Sequence, residues 1–426
     1  MIVGSNACIQ LILTCTIISS VGFLYIQSAV NTGDNAVGNS GEITQKMVST
    51  DQHYLVPHLV AQRIAPRVLE RMRTSGVSKD CQFDAMNLKR NETALQWNEK
   101  RYAVYECSGG CGGLGDRIKG IFSVFLHAVA IGYEFQIDWN SPCLLYPEIL
   151  GPSRWVNWTK EHSPKGEGVV LPHRLRMMDT GASPFKLCEW RSHQTIIVKT
   201  NGNTIPRGSI DCDSVPPTIG EILSQQSFAM SCVRENANHV SDGIKCMGCV
   251  WWYLFRMGTL LETQVAIELD RLALWKKNER LEHAFAIALH IRTGDSKMNA
   301  GSGREADINK VVQQMQLCTS ELVKRVSNVN GTYYGVVVSD SENAKQLVKS
   351  WTWLKVYAVD TKPFHIDRNT RNSMHETKNA VLSVLVDLFI LSFQDILLLS
   401  GSSGYGRLAQ SVGMFSSDNV VECIVE

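Results

Sequence analysis

The segment His290-Ile-Arg-Thr-Gly-Asp295 closes an apolar run, Ala284 to Ile291, that reads as a buried parallel strand. An imidazole, a guanidinium and a carboxylate therefore gather where a strand leaves its sheet, the place at which open α/β folds bind ligands. Arg292 presents a planar fork of donors that matches phosphate oxygens better than a lysine does. The set suits an anionic, hydrogen-bonding ligand such as a nucleoside diphosphate. An internal Arg292–Asp295 pair is the plain structural alternative.

Three other strand ends carry polar clusters. Strand Tyr102 to Glu106 runs into Cys107-Ser-Gly-Gly-Cys-Gly-Gly-Leu-Gly-Asp-Arg117. Glycines there, Gly112, Gly113 and Gly115 among them, free backbone N–H groups to face an anion at close range. Residues 110–115 also satisfy G-x-G-x-x-G, with Asp138 at a spacing suited to a ribose, so an NAD(P)-binding oxidoreductase is a rival reading. Ser339-Asp340-Ser341 closes a second strand. Asp340 either meets a base edge or ribose, or caps the next helix, and spacing alone favours the cap. Ser400-Gly-Ser-Ser-Gly-Tyr-Gly406 closes a third, with Ser402 and Ser403 at a helix N-terminus.

The elements that must hold these groups alternate. Helical periodicity over 118–131, with Ile118, Ile121, Phe122, Phe125, Val129 and Ile131 on one face, is followed by strand 134–139. Further on come helix 307–326, strand 333–338, helix 343–350, strand 355–359, helix 378–393, strand 396–400, a helix from about 407, and strand 420–425. Most of these strands are apolar on both faces, which indicates an α/β fold with doubly wound parallel sheets. A helix is also expected around Ala61 to Arg73, whereas 150–250 is irregular and is the natural place for acceptor loops. Four regions follow: 1–30, a signal anchor; 31–95, a stem and lead-in; 96–275, an N-terminal lobe with the Gly-rich loop on the acceptor side; and 276–426, a C-terminal lobe for the nucleotide sugar.

Residues 7–30 contain no charged side chain and are long enough to span a bilayer. No Lys or Arg precedes them, so a signal-peptide n-region is missing; their length favours an uncleaved type II anchor, with a cleaved signal peptide as the alternative. The apolar run 381–399 is interrupted by Asp387, Gln394 and Asp395 and reads as soluble core. A net charge of +1 over 426 residues excludes the basic field that nucleic acid requires. Thirteen cysteines, with sequons at Asn91, Asn157 and Asn330, point to a luminal domain with disulfides and N-glycans. Cys246-Met-Gly-Cys249 has CxxC spacing, but no second half at finger spacing follows, so a disulfide is expected over zinc.

The order of Gly-rich loop, HxRxxD, strand-[ST]-D and D-L-x-x-L-S-x-x-D-x-x-x-x-S-x-S-S-x-x-x-x-x-A, the last running from Asp387 to Ala409, resembles the α1,2/α1,6/protein O-fucosyltransferase superfamily over roughly residues 100–425. The resemblance implies a GT-B-like fold of two Rossmann-like lobes, GDP-fucose as donor, no metal or other cofactor, inversion at the anomeric carbon, and a glycan or glycoprotein acceptor, commonly in the Golgi or endoplasmic reticulum. The lack of a KDEL-type ending tilts the expected address to a Golgi membrane. By the same resemblance, Arg292 grips the β-phosphate, His290 and Asp340 lie near guanine or ribose, and Asp295 orients the site. Ser402 and Ser403 meet the diphosphate, and the Gly112–Gly115 turn approaches it from the other lobe. Asp116 is the candidate base, with an N-cap or a pairing with Arg117 as its structural alternatives. Two departures stand out: Thr293 replaces a second arginine found in many members, and Asp116-Arg117 occupies a position that is often Asn-Gln or Asn-Arg. A catalytically inactive, membrane-tethered binding protein of the same fold, and an enzyme using another nucleotide sugar, are the remaining alternatives.

Overall fold

The structure, a computed structural model, describes residues 56–76, 81, 100–107, 112–139, 147–159, 169–171, 195–198, 240–294, 305–326, 331–361, 374–401 and 403–423. The anchor, most of the stem, Asn91, Asp295, Asn330 and Ser402 lie outside them. Among the described residues, no helix is long and apolar enough to cross a membrane.

Helices α1 (His58–Ala61) and α2 (Pro66–Gly76) come first. Pro66, with no N–H to give, opens α2, so the helix expected over Ala61 to Arg73 starts at Pro66 and runs to Gly76. Next, β1 (Tyr102–Cys107), α3 (Leu114–Ile131) and β2 (Glu134–Trp139) form the expected strand–turn–helix–strand unit. α3 stops at Gly132, whose φ of 74° lets its N–H turn back onto the last carbonyls. Short strands β3 (Leu150–Pro152), β4 (Val169–Leu171) and β5 (Thr195–Val198) precede α4 (Val240–Leu254), β6 (Phe255–Met257) and α5 (Thr259–Asn278). The remainder alternates: β7 (Phe285–Ile291), α6 (Glu305–Val326), β8 (Tyr333–Ser339), α7 (Glu342–Lys349), β9 (Lys355–Ala358), α8 (Met374–Ser392), β10 (Ile396–Ser400), α9 (Gly404–Val412) and β11 (Val420–Cys423).

Two parallel sheets result, one ordered β2-β1-β5-β4 and the other β11-β10-β7-β8-β9, with β3 and β6 paired antiparallel apart from them. The fold is α/β. The central strands of the second sheet bury both faces, as their unbroken apolar sequence requires. Ile287, Leu289, Ile291, Val337 and Leu398 pack with α6 and α7 on one side; Ala286, Ala288, Val336, Val338, Leu397 and Leu399 join the larger core on the other. Each of these Val, Leu and Ile side chains contributes roughly 1.5–3 kcal/mol of burial. The run 381–399 is indeed interior: it forms most of α8 and then β10.

Helix α2 is riveted to the second sheet by two arginines. Arg67 forks onto the Asp395 carboxylate and donates to the Ala284 carbonyl at 2.9 Å. Asp395 also accepts the Ala286 N–H at 2.8 Å, so it ties α2, β7 and the start of β10 together. Arg71 donates to the carbonyls of Ser392, Gln394 and Gly413 at 2.7–3.0 Å and lies 3.9 Å from the Phe415 ring centre. Those carbonyls include the free end of α8. Burial pushes the Arg71 pKa down to about 10, which leaves it charged at neutral pH. Disulfides join Cys81 to Cys249 and Cys318 to Cys423. The CxxC cysteine Cys249 is thus in a long-range disulfide, which closes the zinc reading of that motif.

Asp395→Ala leaves Arg67 without its carboxylate and the Ala286 N–H without an acceptor. It should cost about 2–4 kcal/mol of stability. Urea titration checks this; a loss below about 0.5 kcal/mol would make the rivet incidental.

Candidate active site

The carboxyl ends of β7, β10 and β8 lie side by side, because these strands are neighbours in one parallel sheet. Arg292 is the first residue beyond β7, and its backbone N–H donates to Ser400 Oγ at 2.6 Å. Its guanidinium stands 3.4 Å from the Asp340 carboxylate, with 28% of the side chain exposed. Asp340 is nearly buried and accepts from Thr293 N at 2.8 Å, Thr293 Oγ1 at 2.9 Å and Gly294 N at 3.3 Å. Gly294 has a φ of 101°, a conformation open to glycine, and this lets the chain wrap the carboxylate. The result is a rigid turn that presents Arg292 outward.

This geometry corrects the reading of Asp340 as a helix cap. The cap of α7 is the next residue, Ser341, whose Oγ accepts from Ala344 N. Ser339 Oγ in turn donates to the Ile291 carbonyl and accepts the Ser341 N–H. Thr293, the departure from the two-arginine form, is buried and spends its hydroxyl on Asp340. Ser400, at the end of β10, holds the Arg292 backbone; its place in the serine loop was the available signal.

His290 is buried at the end of β7, with its ring 5.5 Å from that of Tyr405. Burial, reinforced by Arg292, pushes its pKa down to about 3, so it is neutral at working pH. Its Nδ1 has no hydrogen-bond partner among the described residues. Gly406 is required beside it, since a Cβ there would lie 3.0 Å from Nδ1. Ser403 caps α9, with Oγ accepting from Gly406 N at 3.4 Å. The N-terminus of α9 thus opens at the same strand ends.

The Gly-rich turn arrives from the other sheet. Gly112 takes a φ of 78°, Gly113 caps α3, and Gly115 packs directly on α9. A Cβ on Gly115 would lie 2.6 Å from the Gly404 carbonyl carbon, so the two helix starts meet only because this residue is glycine. Arg117 turns inward and is fully buried, donating to the Gly112 carbonyl at 2.9 Å and to Cys107 Sγ at 2.6 Å. It also lies 5.0 Å from the Trp139 ring centre. Asp116 faces the other way, half exposed, with Lys119 at 3.9 Å as an ion partner. Asp138, the ribose residue of the rival reading, sits at the end of β2. Of the sequons, Asn157 is described: it is exposed, and its Oδ1 accepts from the N–H and hydroxyl of Thr159.

Behind the site is a buried polar cluster. Asp387 on α8 accepts from Thr361 Oγ1 at 2.6 Å, and the buried Lys345 ammonium donates to the carbonyls of Val359 and Thr361. Burial raises the Asp387 pKa to about 7, against the pull of Thr361 and Lys345. The folded protein therefore holds a proton that the unfolded chain releases near its ordinary 3.8. This contribution is full below that value and is lost as pH rises to about 7. Asp387→Asn should gain stability over wild type progressively between pH 4 and 7, reaching about 2–4 kcal/mol. Paired urea titrations at pH 5 and 8 check it; an equal difference at both pH values would contradict it. His290 imposes the opposite slope in both proteins, because its neutral folded form loses stability as pH falls below 6.5.

No protein-family model matches the sequence, and no curated protein matches it. Solved structures similar to the chain include a mutant of Arabidopsis thaliana FUT1 in complex with GDP, at 16% identity and TM-score 0.46, covering 82% of this chain and 78% of that one. NodZ, an α-1,6-fucosyltransferase from Bradyrhizobium co-crystallised with GDP, is similar at 14% identity and TM-score 0.41, covering 74% and 92%. POFUT1 in complex with GDP-fucose is similar at 12% identity and TM-score 0.38, covering 78% and 99%.

Proposed function

We propose that the protein is an inverting glycosyltransferase of GT-B architecture that transfers fucose from GDP-fucose to a hydroxyl of a glycan or glycoprotein. One observation carries the reading. The turn held by Asp340 presents Arg292 next to the end of β10, which leads into α9, and the glycine turn of α3 packs on the first residues of α9. Guanidinium, two helix N-termini and glycine backbone together suit a diphosphate.

In the reaction, the acceptor oxygen forms a bond to fucose C1 as the bond from C1 to the β-phosphate oxygen breaks with its electron pair. Negative charge grows on that phosphate, where Arg292 and the N–H groups of α9 donate. No metal is required for this step. The acceptor proton passes to Asp116, which is on the turn that faces the donor and is half exposed. His290, neutral and buried, lies at the strand ends beside the nucleotide. The oxidoreductase reading would use the glycine turn but would leave the Arg292–Asp340 unit without a role.

On this reading, the chain is a single-pass type II Golgi protein held by residues 7–30, with a stem ahead of the catalytic lobes. The endoplasmic reticulum is the alternative address. Exposed Asn157 is available for a glycan in either lumen. The test is GDP release from GDP-fucose by the full-length chain in EDTA, with UDP-galactose as control. Release from GDP-fucose alone supports the proposal, and absence of release from both removes it.

A further inference from the structure

Lys119 lies in the second turn of α3, yet its ammonium sits against the first residue of α9. A Cβ built on Gly404 would be 3.1 Å from Lys119 Nζ. The start of α3 is there too, since Gly115 packs on the Gly404–Tyr405 backbone. Both helices, 18 and 9 residues long, direct the positive ends of their dipoles to this spot. An ammonium held there is opposed by both ends. Its partner is Asp116 at 3.9 Å, a half-exposed carboxylate, so the offset is weak. The Lys119 ammonium and the two helix ends form one positive locus, and an anion bound there satisfies them together.

We propose that Lys119 is a binding residue for the donor diphosphate, reaching it from the α3 side while Arg292 reaches it from the β7 side. The proposal rests on the nucleotide-sugar reading above. A diphosphate carries more negative charge than Arg292 offers, since Asp340 shares that guanidinium at 3.4 Å. Lys119 supplies the second cation. Donor and Asp116 then compete for the same ammonium, so nucleotide binding releases the carboxylate that faces the acceptor.

The test uses Lys119→Met and Lys119→Arg in the full-length chain, with calorimetric titration of GDP and of guanosine and with melting temperatures in the absence of nucleotide. Lys119→Met should weaken GDP by about tenfold or more, the weight of one charge-assisted hydrogen bond. It should leave guanosine unchanged, and its nucleotide-free melting temperature should hold or rise. Lys119→Arg should stay within about threefold of wild type. A merely structural lysine gives a different result: a lower melting temperature, with GDP and guanosine weakened alike. That result, or wild-type GDP affinity in Lys119→Met, overturns the assignment and leaves the nucleotide reading standing. A wild-type chain that binds no GDP overturns both.

Discussion

Arg292→Ala should lower turnover of GDP-fucose by about two to three orders of magnitude, the range seen when one preorganised donor is removed from a developing oxyanion. Its melting temperature should move by no more than about 1 °C, equivalent to roughly 1 kcal/mol in a chain of this size. The separation follows from the contacts. Arg292 is partly exposed, and its backbone bond to Ser400 survives truncation. Asp340, nearly buried, keeps its bonds from Thr293 and Gly294 and is not left as a bare charge. The measurement is kcat/KM beside a thermal melt. Turnover close to wild type would show that the charge on the leaving phosphate is met elsewhere.

Gly115→Ala should damage both stability and activity. The new methyl would lie 2.6 Å from a backbone carbon of Gly404, with the carbonyl oxygen at 2.7 Å and Tyr405 N at 2.9 Å. Backbone on both sides leaves nothing flexible to yield, so α3 and α9 must part by roughly 1 Å. Overpacking of this kind costs about 1–3 kcal/mol. A shift of that size between groups that position a substrate costs about a hundredfold in rate. Turnover and urea titration on one preparation check both effects. A variant with full activity would show that the junction of the two helices does not shape the site.

Much of this was legible from local pattern. The strands and helices from 284 to the C-terminus fall close to their expected limits, because doubly buried strands and one-sided helices leave different periodicities. Thr259 to Asn278 was missed as a helix for the converse reason. Leu261, Val265, Leu269 and Leu272 are buried while Ile267 and Leu274 are exposed, so no single apolar stripe marks it. Asp340 was misread because Ser, Asp and Ser stand in a row and each is a good cap; the choice of Ser341 is made by where β8 ends. Asp116 and Arg117 looked like a pair, but neighbours on a helix diverge by about 100°, and one turns out while the other turns in. Lys119 was invisible to sequence reasoning, since its place depends on α9, which is remote in the chain and packs on α3 closely because Gly115 carries no side chain.

The most direct measurement is a calorimetric titration of the full-length chain with GDP, UDP and NADPH, each with and without EDTA. The account predicts tight GDP binding that EDTA does not weaken, and much weaker UDP and NADPH. NADPH binding without GDP would contradict it and return the glycine turn to the oxidoreductase reading, while binding of none of the three would remove the nucleotide site from these strand ends.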